Sequence, residues 1–357
     1  MENALITTET LEAARSLRIR VVPLDRSDLG LRDEMNELDL GSSFAHPFQT
    51  EAFSTLAHSD PSRSPHLIVA EDAQGLAAYW WAYFVRYRSV TRRGSAAWAR
   101  SGPVIRVDLT GSQDLVFREM LAALKSHVRK QGVGWTVITS EPLYGPRMEE
   151  PCLAAGFGRR ELATFVVDLR PPLDDLWSAL DPRVRWSVNK AGKNGVTIED
   201  PASDDDIREF YRLDVEMSSV PGELPAPEDQ YVRECRSLLE KSQGRLLLAK
   251  HDGRLVAGSL ILCHRGFAAQ HQHAIYKAGR AVRAGDLLMW RSLVTMKELG
   301  CTRYDSVTVE AAPEAGSREE GVREFKAKWG GALVDTPTYS YRSLARRLWR
   351  SLRGIGR

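Results

Sequence analysis

The sequence predicts an α/β (α+β) protein in which one structural unit occurs twice along the chain. One observation is a hairpin pattern, two apolar runs joined by a polar turn with glycine, at residues 67–78 and again at 246–257. Another is an amphipathic helix that ends at a glycine and leads into a strand, at 121–139 and again at 287–309. Because both patterns recur in the same order, we interpret them as a duplicated unit.

Composition and length agree with a soluble globular chain of two domains. The chain has 357 residues, of which 43% are hydrophobic and 27% are charged, enough to form two cores. A new strand starts at Ala163, so we predict domains at 1–160 and 161–341 and a basic tail at 342–357. The net charge is only +2, which does not indicate a general polyanion binder.

The cysteines and the chain start indicate a reducing compartment. Cys152, Cys235, Cys263 and Cys301 are far apart and form no CxxC pair, so neither a disulfide framework nor a zinc site is expected. The chain start lacks the pattern of a signal peptide, and no apolar run approaches the ~18 residues of a membrane span. We therefore expect a cytoplasmic protein.

A basic helix follows the first strand of the second copy. Residues 172–180 are typical of a short helix, and Asp181-Pro182 then supplies an N-cap and a first-turn proline for a helix at 183–194. Helical spacing places four cationic or aromatic side chains on one face, namely Arg183, Trp186, Lys190 and Lys193. No acid lies between Asp181 and Glu199, which favours a phosphate or nucleotide ligand over a merely solvated face.

A polar strand at Gln270–Tyr276 interrupts an apolar region. Strict alternation would put His271 and His273 on one face of this strand. A metal site is not expected, because no acid or third ligand lies nearby in the sequence. The histidines are predicted to line a groove or to make structural hydrogen bonds, and His273 is the candidate to accept the ammonium proton of an acceptor.

The pair Phe325-Lys326 lies between an acidic turn and a Gly-Gly break. A lysine held by its neighbours supplies a point positive charge, which a developing oxyanion needs. The alternative is a solvated lysine beside a core phenylalanine. The pair by itself does not distinguish these two interpretations.

The order of hairpin, strand, helix and strand resembles the acyltransferase unit of the GNAT fold. The resemblance implies two tandem GNAT-like domains, each with a mixed central sheet flanked by helices. In that family a glycine-rich loop before a helix binds the coenzyme A diphosphate through backbone N–H groups. The matching segment here is 280–285, and Arg283 stands where the first glycine is required, which makes a standard coenzyme A site less expected.

Five motifs in order resemble the Fem family of aminoacyl-tRNA-dependent transferases, which have tandem GNAT-like domains. They are Phe48-Gln49 with Phe53, Gly102-Pro103-Val104, Ala155-Gly156-Phe157, the strand Thr164–Leu169 with the helix pattern from Arg185 to Val196, and Phe325-Lys326. The resemblance spans roughly residues 40 to 340.

This resemblance implies transfer of an amino acid from the 3′ ester of a tRNA to an amine, which forms an amide bond. It implies catalytic roles for Lys326, which would stabilise the oxyanion, and for Phe325, which would stack near the terminal adenosine. His273, from the polar strand, is the third catalytic candidate. Substrate-binding roles are expected for Arg183, Arg185, Trp186, Lys190, Lys193, His271, Tyr276 and Asp305. The co-substrate is aminoacyl-tRNA, and neither a cofactor, a metal nor a stable protein partner is expected.

Departures from the family pattern leave the acceptor open. Peptidoglycan-acting members use a lysine in the first domain, whereas the first lysine here is Lys125. The family's Tyr-Asp-x-Gly-Gly segment is replaced by residues 304–308, with Val307 at the first glycine position. The acceptor is therefore a peptidoglycan precursor or a small natural-product amine. The other candidate functions are an acyl-CoA-dependent N-acyltransferase and a non-catalytic ligand-binding module.

The C-terminal tail, 342–357, repeats leucine at a spacing of four and carries several arginines but no acid. Such a helix can lie on anionic lipid as a peripheral membrane contact or on tRNA phosphates. Alternatively, it docks its leucines on the second domain.

Overall fold

The computed structural model describes residues 16–23, 29–42, 46–57, 63–88, 93–141, 143, 147–218 and 225–343. Its strands are β1 (Arg18–Pro23), β2 (Arg63–Asp72), β3 (Gly75–Arg88), β4 (Arg93–Arg100), β5 (Val104–Ile105), β6 (Trp135–Thr139), β7 (Gly158–Arg160), β8 (Leu162–Asp168), β9 (Thr197–Glu199), β10 (Gly244–His251), β11 (Arg254–His264), β12 (Phe267–Ile275), β13 (Arg303–Asp305), β14 (Val309–Glu310), β15 (Ala332–Asp335) and β16 (Thr338–Arg342).

The α-helices are α1 (Leu29–Gly41), α2 (Glu51–Ala57), α3 (Gln113–Lys130), α4 (Glu149–Ala154), α5 (Leu173–Ala179), α6 (Pro182–Lys193), α7 (Asp204–Ser218), α8 (Glu228–Glu240), α9 (Lys277–Ala281), α10 (Ala284–Glu298) and α11 (Arg318–Ala327). Short 3₁₀ helices lie at Pro47–Gln49 and Val107–Ser112. None of these helices in the described part of the chain is both long and apolar enough to cross a membrane.

The described residues form two compact units. Unit 1 takes its residues from 1–49, 61–160 and 337–343, and unit 2 takes its residues from 50–60 and 161–336. These ranges differ from the sequence-based domains at 50–57 and 337–341. Strand β16 pairs with β6 and β7, and its Tyr339 is buried in the core of unit 1. The predicted tail therefore begins inside a strand at Arg342, and its residues 344–357 lie outside the described residues.

Unit 1 contains an eight-stranded sheet with the order β1-β2-β3-β4-β6-β16-β7, and β5 pairs with β3. The predicted hairpin is β2–β3, and β4 and β6 form a parallel pair within this otherwise antiparallel sheet. Helix α3 lays an apolar face on the sheet, because Phe117, Met120 and Leu121 lie with Trp80 in one buried cluster.

Unit 2 repeats this arrangement. Its sheet has the order β14-β8-β13-β12-β11-β10-β9, β15 also pairs with β8, and β12 and β13 form the parallel pair. Helix α10 is buried against this sheet through residues such as Leu288, Met289 and Leu293. Two mixed sheets with flanking helices therefore confirm the predicted fold class.

The basic helix forms as the sequence predicts. Asp181 caps α6 by accepting a hydrogen bond from the Arg183 N–H at 2.7 Å, and Gly195 follows the helix with φ +82°. The predicted strand at 304–309, in contrast, is interrupted after β13. Val307 adopts φ +60°, a left-handed conformation outside the β region, and β14 starts only at Val309.

Candidate functional site

The parallel strands β12 and β13 pair with each other over a short stretch only. They pair over only three residues, from Phe267 opposite Arg303 to Ala269 opposite Asp305. Strand β12 then continues to Ile275 along β11, whereas β13 ends at Asp305. Ligands of α/β proteins bind beyond the carboxyl ends of such strands. We therefore take the end of the β12–β13 pairing as the candidate site of unit 2.

Lys326 is held in place at this site by main-chain carbonyls. Its Nζ donates hydrogen bonds to the Val307 oxygen at 2.8 Å and to the Thr308 oxygen at 3.3 Å. Both acceptors are neutral main-chain oxygens, and these two contacts fix the position of the ammonium. Lys326 is half-buried, so water screens its electrostatic field less than it would at the surface. A fixed positive charge of this kind can stabilise a developing oxyanion.

Asp305 shapes the segment that holds Lys326. The carboxylate is fully buried, and its Oδ1 accepts hydrogen bonds from the Thr164 hydroxyl and from the Val307 N–H at 2.8 Å. The second bond closes a tight turn over residues 305–307 and accompanies the left-handed Val307. Asp305 thus has structural hydrogen bonds in addition to the predicted substrate role, which stays a prediction.

His273 and Phe325 adjoin Lys326, so the three predicted catalytic residues come together. The His273 and Phe325 rings lie 6.2 Å apart, and the Gln270 side-chain amide is 3.3 Å from His273 Nδ1. Burial and the neighbouring Lys326 charge lower the pKa of His273 to about 4. The ring is therefore neutral at pH 7 and too weak a base to hold an acceptor's proton there, which argues for an orienting or hydrogen-bonding role.

His271 does not share the environment of His273, so the expected alternation is wrong at this point. Leu260 faces Gln272 and Ile261 faces Gln270, which leaves His271 as the extra residue of a β-bulge. The bulge brings Gln270 beside His273. The His271 ring instead makes an edge contact with Phe53 of α2 at 5.4 Å.

Tyr276 lies directly after β12, at the start of α9. Its main-chain N–H donates to the Val256 oxygen at 3.0 Å. Burial, followed by the carboxylates of Glu216 and Glu209, raises the pKa of its hydroxyl. The phenol is therefore protonated at neutral pH and can donate a hydrogen bond. Its predicted part in substrate binding stays a prediction.

The exposed face of α6 carries unpaired positive charge. Among the described residues, Arg183, Lys190 and Lys193 have no side-chain ion pair, and all three are exposed. Trp186 is 55% exposed on the same face, and the Arg283 guanidinium lies 4.7 Å above its ring. This arrangement of cations and an indole suits phosphate and base contacts.

Arg185, in contrast, is engaged within the unit. Its Nη1 donates to the Ser178 oxygen at 2.7 Å and also to the Trp177 and Leu180 oxygens. These carbonyls belong to the C-terminal end of α5, where helices lack intrahelical donors. Arg185 therefore caps α5, and this structural role competes with the phosphate contact predicted from the sequence.

The amino end of α10 is occupied by the protein's own side chains. Arg283 adopts φ +62° immediately before the helix, and its guanidinium donates to the Ser187 hydroxyl at 3.2 Å. Asp286, in the first turn, is buried and accepts a hydrogen bond from the Lys328 ammonium. The positive end of the α10 helix dipole therefore already stabilises the Asp286 carboxylate. A diphosphate would have to compete with it.

Unit 1 holds a buried polar cluster that the sequence did not reveal as a site. Arg100 donates to the Glu141 carboxylate at 2.8 Å, and the His46 Nε2 lies 3.8 Å from the same carboxylate. The Arg100 guanidinium also lies 3.8 Å from the Phe48 ring centroid, and Gln49 donates to the Gly102 oxygen at 3.0 Å. The motifs at 48–49 and 102–104 were the only signal of this cluster, because Arg100 and Glu141 are remote in sequence.

Comparison with known proteins supports this fold. Residues 182–327 match the acetyltransferase (GNAT) domain family. The search of curated proteins found no match. The crystal structure of FemX shares 14% identity with a TM-score of 0.67, over 93% of this chain and 99% of FemX.

Two further solved structures have the same architecture. A tandem GNAT protein from the clavulanic acid biosynthesis pathway shares 15% identity over 91% of this chain and 98% of its own, with a TM-score of 0.58. L-PGS from Bacillus licheniformis shares 14% identity over 94% of this chain and 98% of its own, with a TM-score of 0.56. At these identities the likeness concerns the fold alone. The chain therefore has a tandem GNAT fold similar to those of FemX, L-PGS and tandem GNAT proteins, and its residues 182–327 match the acetyltransferase (GNAT) domain.

Proposed function

We propose that the protein is an aminoacyltransferase that moves an amino acid from aminoacyl-tRNA to an amine and forms an amide bond. The observation that carries the proposal is the placement of Lys326 on the Val307 and Thr308 carbonyls, beside His273 and Phe325. This arrangement supports acyl transfer by charge stabilisation, without a nucleophile from the protein. The FemX-like fold supports the choice of an aminoacyl-tRNA donor.

The proposed reaction uses an ester that is already activated. The neutral amine of the acceptor attacks the ester carbonyl carbon, and the carbonyl oxygen becomes an oxyanion beside Lys326. The bond between the carbonyl carbon and the 3′ oxygen of the ribose then breaks, the attacking nitrogen loses a proton, the 3′ oxygen takes one up, and the amide remains. Phe325 would contact the terminal adenosine, and His273 would orient the acceptor or donor through a hydrogen bond rather than by holding a proton.

The amino end of α10 favours tRNA over coenzyme A as the source of the acyl group. A coenzyme A diphosphate needs free N–H groups and an open backbone at that helix end. Arg283 and the Asp286–Lys328 pair fill this region. The acceptor is proposed to be a peptidoglycan precursor or a small natural-product amine.

An acyl-CoA-dependent N-acyltransferase is the second candidate, because residues 182–327 match a family described as acetyltransferase. The deciding experiment incubates the protein separately with a charged tRNA pool and with acetyl-CoA, each with a panel of amines. We expect deacylation of tRNA that depends on the amine and yields an amide. Consumption of acetyl-CoA alone would select the second candidate, and consumption of neither donor would favour a non-catalytic binding module.

A further inference from the structure

An open groove of about 620 Å³ lies between α5, α6 and α10 of unit 2. Its apolar wall is formed by two indole rings, Trp177 and Trp290, whose centroids are 4.9 Å apart with planes tilted by 55°. Val188 and Leu287 complete this wall. The volume falls within the ~300–1,000 Å³ range of sites for small ligands.

The polar part of the groove is positively charged. Lys193 and Arg291 line it, and both side chains are exposed. Neither forms an ion pair with another residue in the part of the chain that the structure describes. No acid is among the lining residues, and Asn189 adds an amide that can donate and accept. Such a site is complementary to an anion with a flat, aromatic portion.

The groove adjoins the cationic face of α6. Lys193 belongs to both, and Arg183, Trp186 and Lys190 extend along the same helix. The groove also begins near the amino end of α10, because Leu287 and Trp290 lie in its first two turns. A polyanion bound along α6 would therefore reach the groove without crossing acidic surface on that helix.

We propose that this groove binds one nucleotide of an RNA partner, with the base against Trp177 and Trp290 and the phosphate on Lys193 and Arg291. Stacking on aromatic rings accepts every base, and the arginine fork matches a phosphate. A lipid bilayer fits less well, because the two indoles are half-buried in a concave groove instead of projecting from the surface. The inference rests on the proposed use of aminoacyl-tRNA.

The test measures binding of fluorescently labelled, uncharged bulk tRNA by anisotropy between about 50 and 200 mM salt. Arg291→Ala and Lys193→Ala should each weaken binding several-fold and reduce the salt slope by about 1. Trp290→Leu should weaken binding by roughly 5- to 100-fold, whereas Trp290→Phe should retain most of it. Arg254→Ala is the matched control, since this exposed arginine at the start of β11 lies outside the groove lining.

The outcomes separate this inference from the proposed function. If the wild-type protein binds and deacylates charged tRNA but all groove variants bind like the Arg254→Ala control, only the groove assignment is overturned. If the wild type binds no tRNA at any salt concentration, both are overturned. Should Trp290→Leu not fold, the exposed Arg291→Ala still decides. If the groove variants lose binding to phosphatidylglycerol vesicles but bind tRNA like the wild type, the groove binds a membrane and the inference is overturned.

Discussion

At the level of single residues, the proposed chemistry depends most directly on Lys326. The carbonyls of Val307 and Thr308 hold its ammonium in position before the reaction begins. Lys326→Ala therefore removes a positive charge that does not have to move to meet the oxyanion. We expect Lys326→Ala to lower kcat by about 10²–10³-fold with the donor that the protein consumes, and to change KM less. Lys241→Ala, which removes an exposed lysine after α8, is the control. An unchanged kcat in Lys326→Ala would contradict the oxyanion role.

Val307 is strained, and the strain has a simple test. A left-handed conformation costs an L-residue about 1–2 kcal/mol, whereas glycine adopts it freely and loses roughly 0.5–1 kcal/mol of chain entropy. We therefore expect Val307→Gly to leave the free energy of unfolding unchanged or to raise it. Thr308→Gly, at a neighbour without positive φ, should lower it by about 1 kcal/mol. If urea denaturation shows that both variants lose the same free energy of unfolding, Val307 is not strained.

The lowered pKa of His273 should make unit 2 less stable in mild acid. The unfolded histidine binds a proton below its ordinary pKa of 6.5, whereas the folded one does so only near pH 4. Between these values the unfolded state holds more protons, so stability falls as the pH falls. His273→Gln should reduce the loss between pH 7 and pH 5 by roughly 1–2 kcal/mol.

Urea denaturation of the wild type and of His273→Gln at pH 7 and pH 5 measures this difference in the free energy of unfolding. His66 and His127 also have lowered pKa values, but they are present in both proteins and cancel in the comparison. If the variant and the wild type lose the same stability between pH 7 and pH 5, the His273 ring is not held neutral by its surroundings.

At the level of elements, two arginines of α6 are predicted to have different functions. Arg185 caps the carboxyl end of α5, so Arg185→Ala leaves several carbonyls without this donor and should lower stability by about 1–3 kcal/mol. Arg183 is exposed on the cationic face, so Arg183→Ala should change stability by less than about 0.5 kcal/mol. Thermal unfolding of the two variants compares these effects directly. Equal destabilisation would refute the division of roles.

At the level of the whole molecule, strand β16 belongs to unit 1 although it follows unit 2 in the sequence. It lies between β6 and β7, and its Tyr339 is buried with the unit 1 core. A chain that ends at Thr336 should therefore lose protection of the β6 amides in hydrogen exchange, whereas unit 2 amides such as those of β11 keep theirs. A chain that ends at Ser343 retains β16 and is the control. Equal protection of β6 in both chains would contradict this contribution of β16.

The sequence by itself determined the repeated unit and the helix α6 with its cationic face, and it identified the Phe325-Lys326 pair as a candidate. These features follow from local periodicity, capping residues and short motifs, which depend on neighbours within a few positions. The duplicated order of elements predicted a repeated α/β unit, and its resemblance to the GNAT fold implied the two mixed sheets.

Only the tertiary structure decided which partners these residues have. The bulge at His271, the left-handed Val307 and the cap that Arg185 forms depend on pairing and packing between segments that no period in the sequence describes. Strand β16 pairs with β6 from far along the chain, and the groove of Trp177 and Trp290 exists because α5, α6 and α10 come together. Long-range contacts of this kind follow from burial of the whole core, so local patterns could not predict them.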